Sequence, residues 1–192
     1  MQPRIIVLFG PPGAGKGTQG ERLAHSIGAG YIQTGEILRT AMKELSPLGV
    51  KAKGFIEAGN LVPDTLINEL VLDRLNQLGL LTSDLILDGY PRTLAQATYL
   101  DSSLGSVISL AIRVIVIEVP EEILIRRLSS RAINGGENRR VDDNASIVEH
   151  RLKVYAADTA PVIDYYRDSS RAVSIDGTGS IDEVFERIQK AI

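Results

Sequence analysis

Residues 10 to 18 read Gly-Pro-Pro-Gly-Ala-Gly-Lys-Gly-Thr. They follow Ile5-Ile6-Val7-Leu8-Phe9, the pattern of a strand buried on both faces, and lead into Gln19-Gly20-Glu21-Arg22-Leu23-Ala24, which reads as the start of a helix. Strand, glycine loop and helix in that order restrict the chain to folds in which a buried strand delivers its carboxyl end to a helix N-terminus. Gly10, Gly13 and Gly15 can take positive φ, so successive N–H groups can turn inward as a nest for phosphate oxygens. The helix N-terminus adds its partial positive charge at the same place. Lys16 supplies an ammonium for β- and γ-phosphates, and Thr18 a hydroxyl for Mg²⁺. A plain glycine-rich turn needs neither the lysine nor the flanking periodicity. Gly17 stands where the strict phosphate-loop pattern has Ser or Thr directly after the lysine, which points away from a generic ATPase and toward a small-molecule kinase.

The rest of the chain is sized for one α/β core, at 192 residues with 44% hydrophobic and 23% charged side chains. The longest apolar stretch, Val107 to Val119, is broken by Ser109, Arg113 and Glu118 and falls short of a membrane span. The N-terminus lacks a signal-peptide layout, and without cysteine there is neither a disulfide framework nor a Cys zinc site. A cytoplasmic, monomeric enzyme without membrane or nucleic-acid partners is the expectation, the net charge being −3. That charge is uneven. Arg126, Arg127, Arg131, Arg139 and Arg140 face only Glu137 between residues 126 and 140, so a basic cluster interrupts an acidic chain. Such a cluster is either a solvated basic helix end or a polyanion site, and the upstream glycine loop favours the second.

Short apolar runs alternate with helical patterns. Strands are predicted at 4–9, 31–33, 85–87, 113–118 and 173–175, and helices at 16–27, 35–43, 48–58, 64–77, 93–102, 121–132, 144–167 and 181–191. The alternation implies an α/β fold, a doubly wound five-stranded parallel sheet with helices on both faces. Asp64 and Asp143 or Asn144 are candidate N-caps, and Gly59 and Gly79 candidate helix stops. Residues 35–77 hold helices with no strand between them, as a helical subdomain would, and 131–143 reads as a glycine-hinged loop around Gly135 and Gly136.

A second site follows from Leu85-Ile86-Leu87-Asp88-Gly89-Tyr90-Pro91-Arg92-Thr93. Asp88 closes a buried strand, where a carboxylate can lie beside the shell of a Mg²⁺ ion; Asp-Gly followed by Pro is also an ordinary turn. Arg92 comes at the carboxyl ends of the strands and can grip a phosphate bidentately. Arg127 and Arg131, four apart, share a helix face. Asp142 and Asp143 read equally as caps of the following helix and as water-mediated contacts to Mg²⁺ and the 131–143 loop. His25 and His150 have no metal spacing. Tyr155, Tyr165 and Tyr166 are expected to pack rather than stack on a base, and Leu66, Leu70 and Val71 to face a core or subdomain contact.

Five stretches in order resemble the adenylate kinases among the nucleoside monophosphate kinases: Gly10–Thr18, Thr34-Gly35-Glu36-Ile37-Leu38-Arg39, Gly59-Asn60-Leu61-Val62-Pro63-Asp64, Asp88 through Gln96, and Arg140-Val141-Asp142-Asp143-Asn144. The family more often has Ser at position 33 and Asp at position 36. The resemblance, which runs from Arg4 to about Phe185, implies transfer of the terminal phosphoryl group of MgATP to AMP, giving two ADP. It implies ATP binding by Gly13, Ala14, Gly15, Lys16, Gly17 and Thr18, with Arg127, Arg131 and the backbone of Gly179. It implies AMP binding by Thr34, Gly35, Arg39, Asn60, Leu61 and Val62, and by Gly89, Tyr90, Pro91, Arg92 and Gln96. Arg140 and Arg151 would grip the phosphates of acceptor and donor, so that Lys16, Arg92, Arg131, Arg140 and Arg151 form the catalytic set, with Mg²⁺ held through water by Thr18 and Asp88. The loop at 131–140 is too short and lacks the cysteines for a long zinc-binding lid, so the resemblance is to the short-lid form. The implied division is one domain with core 1–33, 63–130 and 141–192, an acceptor-binding insertion at 34–62 and a lid at 131–140.

Rival readings remain at this point. A UMP or CMP kinase shares the loop, although Thr34 and Gln96 lean toward adenine because an amide can both donate and accept at its edge. A binding module without turnover would have lost Arg92 or the loop arginines. A GTPase would carry Asn-Lys-x-Asp, which is missing.

Overall fold

The computed structural model describes residues 3–78, 83–105, 111–134 and 142–192. The strands are β1 (Arg4–Phe9), β2 (Gly30–Gln33), β3 (Leu85–Asp88), β4 (Ala111–Glu118) and β5 (Ala172–Asp176). They form one parallel sheet in the order β2-β3-β1-β4-β5. The chain leaves β1 toward one edge and later returns to the other side. Beside β1 the strand order therefore reverses, and a crevice opens at the carboxyl ends, where such sheets bind ligands.

The central strands are near-continuous apolar runs because both of their faces are covered. Ile5, Val7 and Phe9 face one core, Ile6 and Leu8 the other, as the period of two demands. On the first face lie α2 (Thr34–Lys43), α3 (Pro47–Glu57), α4 (Asp64–Gln77), α5 (Leu94–Gly105) and α8 (Ala160–Asp168). On the second lie α1 (Lys16–Ile27), α6 (Glu121–Asn134) and α9 (Ile181–Ala191). The last helix, α7 (Ala145–Val154), runs up to the cleft end of α8. No helix of the described residues is long and apolar enough to cross a membrane.

Three expectations are corrected. Asp64 is the first residue of α4 rather than its cap, because its carboxylate is taken by Thr93 Oγ1 at 2.9 Å and Gln96 Nε2 at 2.7 Å. The helix expected over 144–167 is interrupted. After α7, capped by the Asn144 side chain, a π-turn spans Tyr155–Thr159 before α8 begins. Pro161 in the first turn of α8 has no N–H to continue the ladder, and the freed turn lets Thr159 Oγ1 donate to the Arg92 carbonyl at 3.0 Å. Finally, the loop read from 131 begins as helix, since α6 runs through Asn134, while Arg131 is helical as its spacing from Arg127 implied; Gly135, Gly136, Arg139 and Arg140, like Gly79, lie outside the described residues. Gly59, with φ of 75° just past Ala58, does end its helix as expected.

The helical insertion folds back on itself between α2 and α3. Ser46 caps α3 and donates its own N–H to the Ala41 carbonyl at 3.0 Å. Gly49 then passes so close that a Cβ there would lie 2.0 Å from the same oxygen. Helix propensity favours Ala over Gly by about 1 kcal/mol, whereas forcing apart packed backbone costs about 1–3 kcal/mol. The contact should win. Gly49→Ala is expected to lower the urea midpoint; a midpoint at or above the parent's would show that the hairpin is not packed this tightly.

Candidate active site

The glycine loop is held from two sides. A Cβ on Gly10 would meet the Ile117 carbonyl of β4 at 2.8 Å, and one on Gly13 would meet Leu128 and the Leu124 carbonyl of α6 at 3.0 and 3.2 Å. Both residues have positive φ, so their lack of a side chain is required twice over. Gly15 caps α1 in the left-handed conformation with no side-chain hydrogen bond, which leaves the N–H groups of the first turn for a ligand. Lys16 Nζ donates to the carbonyls of Gly10 at 2.6 Å and Pro11 at 3.2 Å, bending back over the loop. Ala14 enters the core beneath, so only its backbone faces the site.

A cleft of about 350 Å³ runs from this loop to the helical insertion. Six cationic side chains line it, namely Lys16, Arg39, Arg92, Arg127, Arg131 and Arg151, against the carboxylates of Asp88 and Asp142. Burial pushes the Arg92 guanidinium below its ordinary value; Asp88 and Asp142 oppose this, while Arg151 and Arg39 add to it. Burial likewise lowers Arg151, with Asp142 and Asp143 opposing and Arg131 and Arg39 reinforcing. Four guanidinium groups therefore sit in one another's field. An anion among them would relieve that field. Acidic partners hold three of them: Arg39 pairs with Glu36, Arg131 Nε donates to Asp143 at 2.8 Å, and Arg151 pairs with Asp142 at 2.8 Å and Asp143 at 3.7 Å. Asp142 and Asp143 are thus guanidinium partners, and the helix cap falls to Asn144. Arg127 reaches the other way, to the carbonyls of Gly177 at 3.0 Å and Ala14 at 3.4 Å, tying α6 to the glycine loop and to the turn that carries Gly179.

At the insertion end, Thr34 Oγ1 donates to the Gly89 carbonyl at 2.9 Å, and Arg92 Nε donates to the same oxygen at 2.9 Å. Gly89 has φ of 82°, and a Cβ there would strike Thr34 Oγ1 at 2.7 Å. Arg39 pairs with Glu36 at 2.7 Å, and Gly35, Asn60, Leu61, Val62 and Pro91 complete this end of the cleft. His150 bonds Asn60 at 2.7 Å, so the turn after α3 touches α7 across the opening. Gln96 is buried, its amide oxygen accepting from the Arg92 N–H at 2.7 Å and its amide nitrogen donating to Asp64. One hydrogen and one lone pair of that amide remain for a base edge. Tyr90 departs from expectation. Its ring is buried in the core and its hydroxyl donates to Asn68 at 2.8 Å, so it offers the cleft no side chain. Tyr155 lines the cleft with its phenol pushed up to about 12, by burial first and Glu118 second, and stays neutral near pH 7. Tyr165 and Tyr166 pack edge to face, as expected.

Thr18 and Asp88 both bring oxygen donors to the cleft, and the described residues hold no cluster of three or more His, Cys, Asp or Glu side chains. That donor set fits Mg²⁺, which keeps several waters and shares phosphate oxygens rather than filling a protein cage. Tyr31 and Gln33 were not legible as site residues. Both reach Asp88, and the only hint was the spacing of Gly17 and Gly20, which leaves one side of α1 without side chains.

The family model for adenylate kinase matches residues 8–171. The chain belongs to the adenylate kinase family. An adenylate kinase of Thermus thermophilus is 43% identical over 189 residues, covering 98% of this chain and 97% of the relative. One of Xanthomonas euvesicatoria is 43% identical over 187 residues, covering 97% and 98%. "Adenylate kinase 1" of Nostoc is 40% identical over 187 residues, covering 97% of each. The near-equal lengths fit the short-lid form of the family.

Arg92 offers a test of the charge balance. Its removal should relieve repulsion in the free protein while deleting an anion partner. Arg92→Met is therefore expected to leave the thermal midpoint of the free protein unchanged or raised and to abolish the rise that AMP produces in the parent. A fall of several degrees without nucleotide would make Arg92 a structural residue instead.

Proposed function

We propose that this chain is an ATP:AMP phosphotransferase that converts MgATP and AMP reversibly into two ADP, and that its residues divide the work as follows. The N–H groups of residues 13–18 and Lys16 hold the β- and γ-phosphates of ATP. Arg127 and Arg131 flank them, and Gly179 offers its backbone to the adenine. Thr34, Gly35, Arg39, the turn Asn60–Val62 and Gly89–Arg92 hold AMP, with Gln96 presenting its remaining donor and acceptor to the base edge. Tyr90 contributes only its backbone. The observation that supports this best is one cleft with a phosphate nest at one end, a second pocket at the other and guanidinium groups between them.

Phosphoryl transfer asks little covalent chemistry of a protein. It asks for in-line alignment and positive charge on the equatorial oxygens. Arg92 and Arg151, with Arg140 from the segment 135–141, supply that charge where acceptor and donor phosphates meet. No general base is needed, since the acceptor is already an anion, and neutral Tyr155 is not called on for one. Mg²⁺, held through water by Thr18 and Asp88, would neutralise the charge of the β- and γ-phosphates. Arg131 and Arg151 can exchange Asp143 and Asp142 for phosphate oxygens, which gives the segment 131–140 a reason to close and exclude water. The insertion at 34–62 would close from the other side. We read the protein as a cytoplasmic monomer whose partners are ATP, AMP and ADP.

A coupled assay of ADP formation with AMP, UMP, CMP and GMP tests the reading. AMP should be preferred, and preference for UMP or CMP would make the chain a pyrimidine nucleotide kinase. Lys16→Met should keep the fold and lower turnover by at least about 10²–10³-fold, since a charge on the transferring group is lost. Turnover within tenfold of the parent would remove Lys16 from the mechanism.

A further inference from the structure

Asp88 carries its negative charge in an unusual setting. It is 5% exposed at the carboxyl end of β3, yet among the described residues it makes no ion pair. Arg92, whose guanidinium feels its charge, bonds the Gly89 carbonyl instead. Two neutral donors take the place of a cation, and both reach the same oxygen: Gln33 Nε2 lies 3.0 Å and the Tyr31 hydroxyl 3.2 Å from Oδ2. The Tyr31 hydroxyl is also 3.4 Å from the Gly17 carbonyl, but a phenol has one proton, and the nearer, charged acceptor is the better one.

The fold makes room for this arrangement at a specific cost in sequence. Gln33 is the register partner of Asp88 across β2 and β3, and Tyr31, two residues earlier, shares its face of the sheet. That face lies against the first turns of α1. Gly17 and Gly20, three apart, turn the same side of the helix toward it. A Cβ at 17 would lie 2.7 Å from Gln33 Nε2, and one at 20 would lie 2.8 Å from the Tyr31 ring. Two long polar side chains thus run beneath a helix that is bare where they pass.

We propose that Gln33 and Tyr31 are positioning residues for the metal of the MgATP complex, fixing the Asp88 carboxylate through Oδ2 and leaving its charge and its other oxygen for the ion's water shell. This rests on the place given to Asp88 above. A salt bridge would orient the carboxylate but also neutralise it, and would compete with the cation. Neutral donors orient it and leave the charge available. Mg²⁺ tolerates little departure from octahedral geometry, so an oxygen acting through water must be held still, and partners that hold a ligating carboxylate matter for metal affinity.

The test uses Mn²⁺ as the probe, titrated into the full-length protein saturated with ATP in the absence of AMP, with free Mn²⁺ read by electron paramagnetic resonance. Gln33→Met keeps the length of the side chain and removes the donor; Tyr31→Phe keeps the ring against Gly20 and removes the hydroxyl. Gln33→Met should weaken Mn²⁺ binding about tenfold and Tyr31→Phe by less, with the KM for AMP within about twofold of the parent in both. Asp88→Asn should weaken it at least as much as either. If Asp88→Asn weakens Mn²⁺ binding and neither of the other two does, Gln33 and Tyr31 merely satisfy a buried carboxylate and the inference is wrong while the place of Asp88 stands. If Asp88→Asn binds Mn²⁺ like the parent, both fall. A change in thermal midpoint alone, with Mn²⁺ affinity unaltered, also counts against the inference.

Discussion

Positive charge confined to a partly desolvated cleft is the constraint around which this molecule is organised. Burial makes the charged forms of Arg92 and Arg151 less favourable, and Arg39 and Arg131 beside them add to the effect. Glu36, Asp142 and Asp143 offset part of it, each tied to a guanidinium at hydrogen-bond distance. Such a site can persist only on a scaffold that is stable for other reasons. Here those are two apolar cores, one on each face of a five-stranded sheet, and neither includes a charged side chain of the cleft. The cost to stability is the other side of preorganisation: donors already aimed where charge will lie need no rearrangement when it arrives.

Direction of the strands decides where that charge collects. All five strands run parallel, so every loop that follows a strand emerges on one side of the sheet. The glycine loop follows β1, Thr34 follows β2, and Gly89 through Arg92 follow β3. Residues distant in sequence become neighbours without any long-range design beyond the order of the strands. Contact with the scaffold then sharpens the placement. Gly10 and Gly13 press against β4 and α6, and Thr159 of the π-turn holds the Arg92 carbonyl. Each glycine that looks like flexibility in the sequence is, at these positions, a close approach.

Much of this was legible because buried parallel strands and phosphate loops leave unambiguous marks. The run Ile5 to Phe9 has no polar alternation to confuse it, and the strands were placed to within two residues at either end. What escaped depended on partners far away in sequence. Asp64 looks like a helix cap until Thr93 and Gln96, some thirty residues on, are seen to claim its carboxylate. Tyr90 sits inside a nucleotide-binding stretch, yet its ring turns into the core because Asn68 of α4 offers its hydroxyl an acceptor there. The π-turn was hidden by an otherwise continuous helical pattern, with Pro161 as its local sign. Tyr31 and Gln33 resemble any polar residues on an edge strand; only the bare side of α1 at Gly17 and Gly20 gives their reach away.

The central claim is that one cleft holds two nucleotides end to end with their phosphates meeting among the arginines. Calorimetric titration with two adenosines joined by five phosphates measures this directly. The account predicts one ligand per chain, bound far more tightly than ATP or AMP alone, with binding of either mononucleotide abolished once it is present. A dinucleotide that binds no better than ATP and leaves the AMP affinity unchanged would contradict it.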